Sequence, residues 1–133
     1  MNPILLTIAP YAAVLGLLGA VLTINVILNR VRARVDAGDG GVPALAQAIR
    51  AQGNFVEQAP LALIVIALAE VAGARALVVH VLSGALIAAR LASAYALNRT
   101  LAQSPLRQFG GGMSVLILAA ASVVLLLALG GAR

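Results

Sequence analysis

The stretch Arg50-Ala51-Gln52-Gly53-Asn54-Phe55-Val56-Glu57-Gln58-Ala59-Pro60 sets a cation, an amide and a carboxylate directly before the apolar run 61–69. A helix needs about 20 apolar residues to cross a bilayer. Residues 59–69 are too few. A spanning helix here must take in part of the polar stretch, which puts Glu57 inside the hydrocarbon boundary. An ionisable group at that depth is expensive facing lipid, so it is expected to face a bundle interior or a second subunit.

The surrounding composition gives the same fold class. The chain has 133 residues, 62% hydrophobic and 10% charged, against about 25% charged for soluble domains. It reads as an all-α membrane protein, a single domain over 1–133. Spans are expected at 10–28, 46–72, 76–97 and 111–129. Residues 29–45 and 98–110 form the two longer polar loops, and a tight turn around Gly73-Ala74-Arg75 joins the middle pair. Met1-Asn2-Pro3-Ile4 carries no basic residue before the first apolar run, which argues against a cleaved signal peptide.

The formal charge is +5 and all nine basic residues are arginine. They lie mainly at segment ends, with no basic stripe interleaved with aromatics, so nucleic acid is not the expected partner. Arg30, Arg32, Arg34, Arg99 and Arg107 fall in the longer loops, whereas Arg75 and Arg133 fall on the other side. The positive-inside rule then puts loops 29–45 and 98–110 in the cytoplasm. The chain has no cysteine and one histidine, His80. This removes disulfides, a protein thiolate and a histidine metal cluster, so no metal site is expected.

Arg50, Asn54 and Glu57 stand at i, i+4 and i+7, so they share one helix face, with Arg50 and Glu57 about 10 Å apart along the axis. Pro60 removes the hydrogen bond to Val56 and is expected to kink the helix. On the third span Arg90 lies at about the depth of Glu57, and an Arg90–Glu57 ion pair is the plain structural expectation. Ala12, Gly16 and Ala20 make a small-residue face on the first span. Asn25 is expected to hydrogen-bond between helices. His80 reads as a packed or interfacial residue, Tyr95 as an alternative interfacial aromatic, and Glu70 and Arg75 as interfacial charges.

The pattern Arg-Ala-Gln-x-Asn-x-x-Glu-x-x-Pro over residues 50–60 resembles the signature of the MAPEG family, membrane-associated proteins of eicosanoid and glutathione metabolism. Arg90-Leu91-Ala92-Ser93-Ala94-Tyr95-Ala96-Leu97 is similar to a stretch of its bacterial members, and Gly112-Met113 fits them as well. The resemblance implies a homotrimer of four-helix protomers with glutathione bound between subunits as co-substrate; the arginine-only, alanine-rich composition suggests a GC-rich bacterial genome and hence a bacterial inner membrane. It implies glutathione contacts from Arg32, Arg50, Asn54, Glu57, Arg90 and Tyr95, and Arg107 as the catalytic residue.

These residue types suit that ligand. Arginines match its two carboxylates and a glutamate its ammonium group. A cation at the sulfur favours the nucleophilic thiolate. Arg107 is assigned that role, with the hydroxyl of Ser104 or Tyr95 as a weaker candidate. The implied activity is transfer of glutathione to a lipophilic electrophile, or a related peroxidase reaction. Ser93 and Leu97 replace the His and Tyr of some relatives, and Gln58 replaces an aromatic. Two other readings stand beside this one: a small proton-coupled exporter using Glu57, and a non-catalytic binding protein of the same fold.

Overall fold

The computed structural model describes residues 7–102 and 104–131. The N-terminal residues 1–4 and Arg133, used in the sequence reading, lie outside the described residues, as does Gln103 of the second polar loop. Four helices follow in order: α1 (Ala9–Ala33), α2 (Pro43–Val71), α3 (Ala76–Arg99) and α4 (Pro105–Gly131). All four are long and apolar enough to cross a membrane. α2, α3 and α4 pack against one another, whereas α1 packs on α2 and, over a smaller contact, on α3.

The helices begin and end where local chemistry dictates. Pro10, Pro43 and Pro105 stand in the first turns of α1, α2 and α4, where a missing N–H costs no helical bond. α2 ends in a Schellman arrangement: Gly73 has φ +92, its N–H reaches the Glu70 carbonyl at 3.0 Å, and the Ala74 N–H reaches that of Ala69 at 2.9 Å. Glycine adopts this left-handed conformation without the Cβ clash other residues meet. α2 continues through Pro60, whose lack of an N–H leaves the Val56 carbonyl without its helical donor.

α4 differs most from expectation. It starts six residues before the predicted position 111, so the second polar loop shrinks to residues 100–104. Ser104 explains the early start: its Oγ accepts the Arg107 N–H at 3.3 Å, a side-chain cap ahead of Pro105. Gly110, read as the end of the loop, is helical together with Gly111 and Gly112 of the expected span. A Cβ on Gly110 would meet the Ala89 carbonyl oxygen at 2.8 Å and the Ser93 nitrogen at 3.0 Å. The glycine is what lets α4 lie directly on α3. Arg107 accordingly belongs to the first turn of α4.

The core is built of small and branched side chains. Leu15, Ala62, Ile66, Val79, Leu86, Ala89, Ile117 and Ala121 make its centre, and Leu22, Ala51, Ala94 and Leu97 continue it toward the loop end. The expected close-packing face on α1 is shifted by one turn. A Cβ on Gly16 would touch nothing, whereas one on Gly19 would meet the Phe55 ring at 2.9 Å. Ala12 and Gly16 instead line an apolar groove with Phe55, Ala59, Pro60 and Leu63.

Polar groups hold α1 at both ends. Asn25 Nδ2 donates to Asn98 Oδ1 at 2.9 Å, the interhelical bond expected of Asn25. At the far end the Glu70 carboxylate accepts the Thr7 N–H at 2.8 Å and the Ile8 N–H at 3.0 Å. Glu70, read as an interfacial charge, therefore caps the start of α1, which has no side-chain cap of its own. His80 Nδ1 lies 2.8 Å from the Tyr11 hydroxyl, with the two rings edge to face.

Candidate functional site

α2 carries the charged stripe along an axis of about 43 Å, given its 29 residues and about 1.5 Å of rise per residue. Glu57 lies at its midpoint. Arg50 Nη1 is 3.2 Å from Glu57 Oε1, and the two side chains are 46% and 55% exposed. The expected Arg90–Glu57 pair does not form within the protomer. Arg50 reaches along its own helix to Glu57, while Arg90 is turned inward and both its Nη groups are taken by other groups.

Those groups come from three helices. Arg90 is 1% exposed. Its Nη1 donates to Asn54 Oδ1 at 3.0 Å and less closely to the Asn54 carbonyl at 3.4 Å. Its Nη2 donates to the Gly110 carbonyl at 2.7 Å, to Ser93 Oγ at 3.4 Å and to Ser114 Oγ. Ser114 also donates to the Gly110 carbonyl at 2.9 Å. The stripe thus divides. Asn54 turns toward α3 and α4, and Arg50 and Glu57 stay on the outer face.

Arg50 and Glu57 line an open cleft of about 500 Å³ together with Gly38, Asp39, Ala46, Ile49, Gly53 and Leu101. Binding clefts for small molecules span about 300–1,000 Å³. One wall is the loop between α1 and α2. Arg30 Nη1 holds that loop by donating to the carbonyls of Gly38 at 2.9 Å and Asp36 at 3.3 Å. Asp39 Oδ1 accepts the Gly41 N–H at 2.9 Å, an Asx turn that fixes the loop tip. Asp39 and Leu101 were missed in the sequence because Asp-Gly-Gly reads only as a turn and Leu101 only as a loop apolar residue.

The remaining predicted site residues are not all in the cleft. Arg107 is half-buried, and its Nη1 donates to the Leu101 carbonyl at 2.6 Å, so it stands behind a cleft-lining residue. Ser104 caps the helix that carries it. Tyr95 is 56% exposed and lies under the Arg99 guanidinium, 5.0 Å from the ring centre. Arg32 is exposed on the last turn of α1. Neither Tyr95 nor Arg32 lines the cleft within one protomer. Ser93 and Leu97 are buried, Ser93 against Arg90 and Leu97 in the core beside Leu22, Ala51 and Ala94.

A model of the MAPEG family matches residues 8–127, which takes in the charged stripe, the inward Arg90 and the start of α4. The chain belongs to the MAPEG family. It is also 37% identical over 93 residues to the inner membrane protein YecN of Escherichia coli K12, covering 70% of this chain and 71% of YecN. YecN of Escherichia coli O6:H1 matches to the same extent. Four helices able to cross a membrane and a relative that is an inner membrane protein make this MAPEG member a membrane protein.

Proposed function

We propose that this chain is a glutathione-dependent membrane transferase, working as a homotrimer with the loops at 34–42 and 100–104 on the cytoplasmic side. The observation that carries the reading is the Arg50–Glu57 pair, about half exposed on the outer face of a membrane helix and lining a cleft of about 500 Å³. Lipid is a poor neighbour for these charges. A second protomer laid over the cleft would shield them and close a site between subunits.

A guanidinium beside a carboxylate is the complement of an amino-acid zwitterion. The γ-glutamyl end of glutathione offers a carboxylate to Arg50 and an ammonium group to Glu57, exchanging one internal ion pair for two with ligand. The cleft lining carries one positive and two negative groups, Arg50 against Glu57 and Asp39. The second glutathione carboxylate therefore needs cations from outside that lining, and Arg107 and Arg32 are the arginines assigned to it and to the sulfur. Arg107 is anchored through one nitrogen on Leu101 and keeps other donors. A cation there stabilises the thiolate, the nucleophile that adds to an electrophile arriving from the membrane. The exporter reading uses Glu57 alone and gives no role to Arg50, which stands 3.2 Å from it.

Millimolar glutathione is expected to raise the melting temperature of the detergent-purified protein, and Arg50→Ala or Glu57→Gln to remove the rise. Arg107→Ala is expected to keep the rise and lose the thiolate absorbance of bound glutathione. An unchanged melting temperature in a folded wild-type protein overturns the reading. A rise without turnover of any electrophile leaves a binding protein, and substrate-driven proton flux in proteoliposomes selects the exporter.

A further inference from the structure

We propose that Arg90 is a positioning residue: it locks α4 against α2 and so sets Arg107 beside the cleft without itself touching ligand. Its chemical arm rests on the function proposed above; its geometric arm does not.

Arg90 is buried at 1% exposure, and every partner it has among the described residues is neutral. A buried cation without a counter-ion is costly, and an anion-binding arginine would turn donors toward its ligand. Arg90 does the opposite. Both Nη groups are spent inward, Nε is buried without a hydrogen-bond partner among the described residues, and the residue does not line the cleft.

What the side chain achieves is geometric. One arm of the fork holds Asn54 of α2, and the other holds Gly110 and Ser114 of α4. Only a rigid planar fork serves two helices at once; a lysine ammonium is a single point. Asn54 sits between Arg50 and Glu57 in the charged stripe. Arg107 is three residues before Gly110 on the same helix, about 4.5 Å along its axis. The clamp therefore joins the middle of the ligand-facing stripe to the helix that carries the thiolate-stabilising arginine. Gly110 completes it, because a Cβ there would meet the Ala89 carbonyl at 2.8 Å and push α4 off its seat.

The chain contains no cysteine, so a cysteine pair at the exposed positions Val56 and Phe109 can carry spin labels, with labelled protein diluted into unlabelled. The unsubstituted background is expected to give one narrow α2–α4 distance. Arg90→Lys is expected to broaden it, and Gly110→Ala to do so from the other face. With glutathione, Arg90→Lys should lose about tenfold in thiolate signal, the size of one charge-assisted hydrogen bond, while affinity for S-methylglutathione stays within about threefold.

An unchanged distance in folded Arg90→Lys protein overturns the clamp. A tenfold loss of S-methylglutathione affinity at unchanged distance, about one charge-assisted bond, makes Arg90 a ligand contact and overturns it as well. If the wild type does not bind glutathione, the proposed function fails and the distance measurement alone decides the clamp. Should Arg90→Lys not fold, Ser114→Ala removes one hydroxyl acceptor, and an unchanged distance and thiolate signal there are equally decisive against it.

Discussion

Arg50 and Arg90 lie on adjacent helices of the same bundle, and the structure treats them in opposite ways. Arg90 is buried, meets only neutral oxygens and ties three helices together. Arg50 is half exposed, has a carboxylate partner and faces an open cleft. The difference lies in what each is surrounded by. The interior supplies carbonyls and hydroxyls to both Nη groups of the fork and leaves Nε without a partner among the described residues, whereas the outer face supplies one counter-ion and space. A charge satisfied by its own protomer is architecture. A charge left half exposed at membrane depth calls for a neighbour, whether subunit or ligand.

The largest way to break that contrast is at Gly110, where the inner side has no room. Gly110→Val is expected to cost about 3 kcal/mol or more, the upper end for forcing carbon into a packed site, because the obstacle is the α3 backbone at 2.8 Å. Two residues on, a Cβ at Gly112 meets nothing, and Gly112→Ala is expected to add about 0.5–1 kcal/mol through helix propensity. Unfolding of the two variants in mixed micelles measures both signs. If Gly112→Ala destabilises instead, a second protomer covers that face.

The outer side should respond less. For a pair about half exposed, screening limits the loss in Arg50→Met to under about 1 kcal/mol in dilute detergent, where each protomer stands alone. Unfolding measured across protein concentration sharpens this. A loss that grows as protomers associate means that the pair becomes covered, as the proposed trimer requires. A loss that stays constant and small at every concentration means that it does not.

The outer half of this arrangement was legible in the sequence, since spacing of i, i+4 and i+7 places Arg50 and Glu57 on one face whatever the bundle does. The four helices and the family were legible for a similar reason, because apolar length and a dense local motif survive without tertiary knowledge. The inner half was not. Asn54 differs from Arg50 by only about 40° around the helix, and that rotation is enough to carry it to the α3–α4 side. Ser114 is a single hydroxyl in an apolar run and Gly110 has no side chain, and they become partners of Arg90 only when α4 lies on α3. The early start of α4 was available in Ser104-Pro105, a cap followed by a first-turn proline, but the polar residues around them and Gly110 pointed to a loop. Glycine in a helix that approaches another backbone closely looks the same, in sequence, as glycine in a turn.

Glu70 tests the contrast at the opposite end of the bundle and should give the most local effect. It is a charge satisfied within its own protomer, like Arg90, but by two backbone N–H groups at the start of α1. A carboxylate there benefits from both the hydrogen bonds and the positive end of the helix dipole. Glu70→Gln keeps one acceptor oxygen and loses the charge, so the expected cost is about 0.5–1 kcal/mol. Hydrogen exchange at Thr7 and Ile8 should quicken while exchange in α2 and α3 stays as it was, because α1 meets the bundle over a narrower surface than the other helices do. Glutathione should stabilise this variant as much as the wild type, since Arg50 and Glu57 are held from the loop end. A reduced glutathione effect in Glu70→Gln would mean that the seating of α1 reaches the cleft, and the division between charges that build the protomer and charges that face outward would no longer hold.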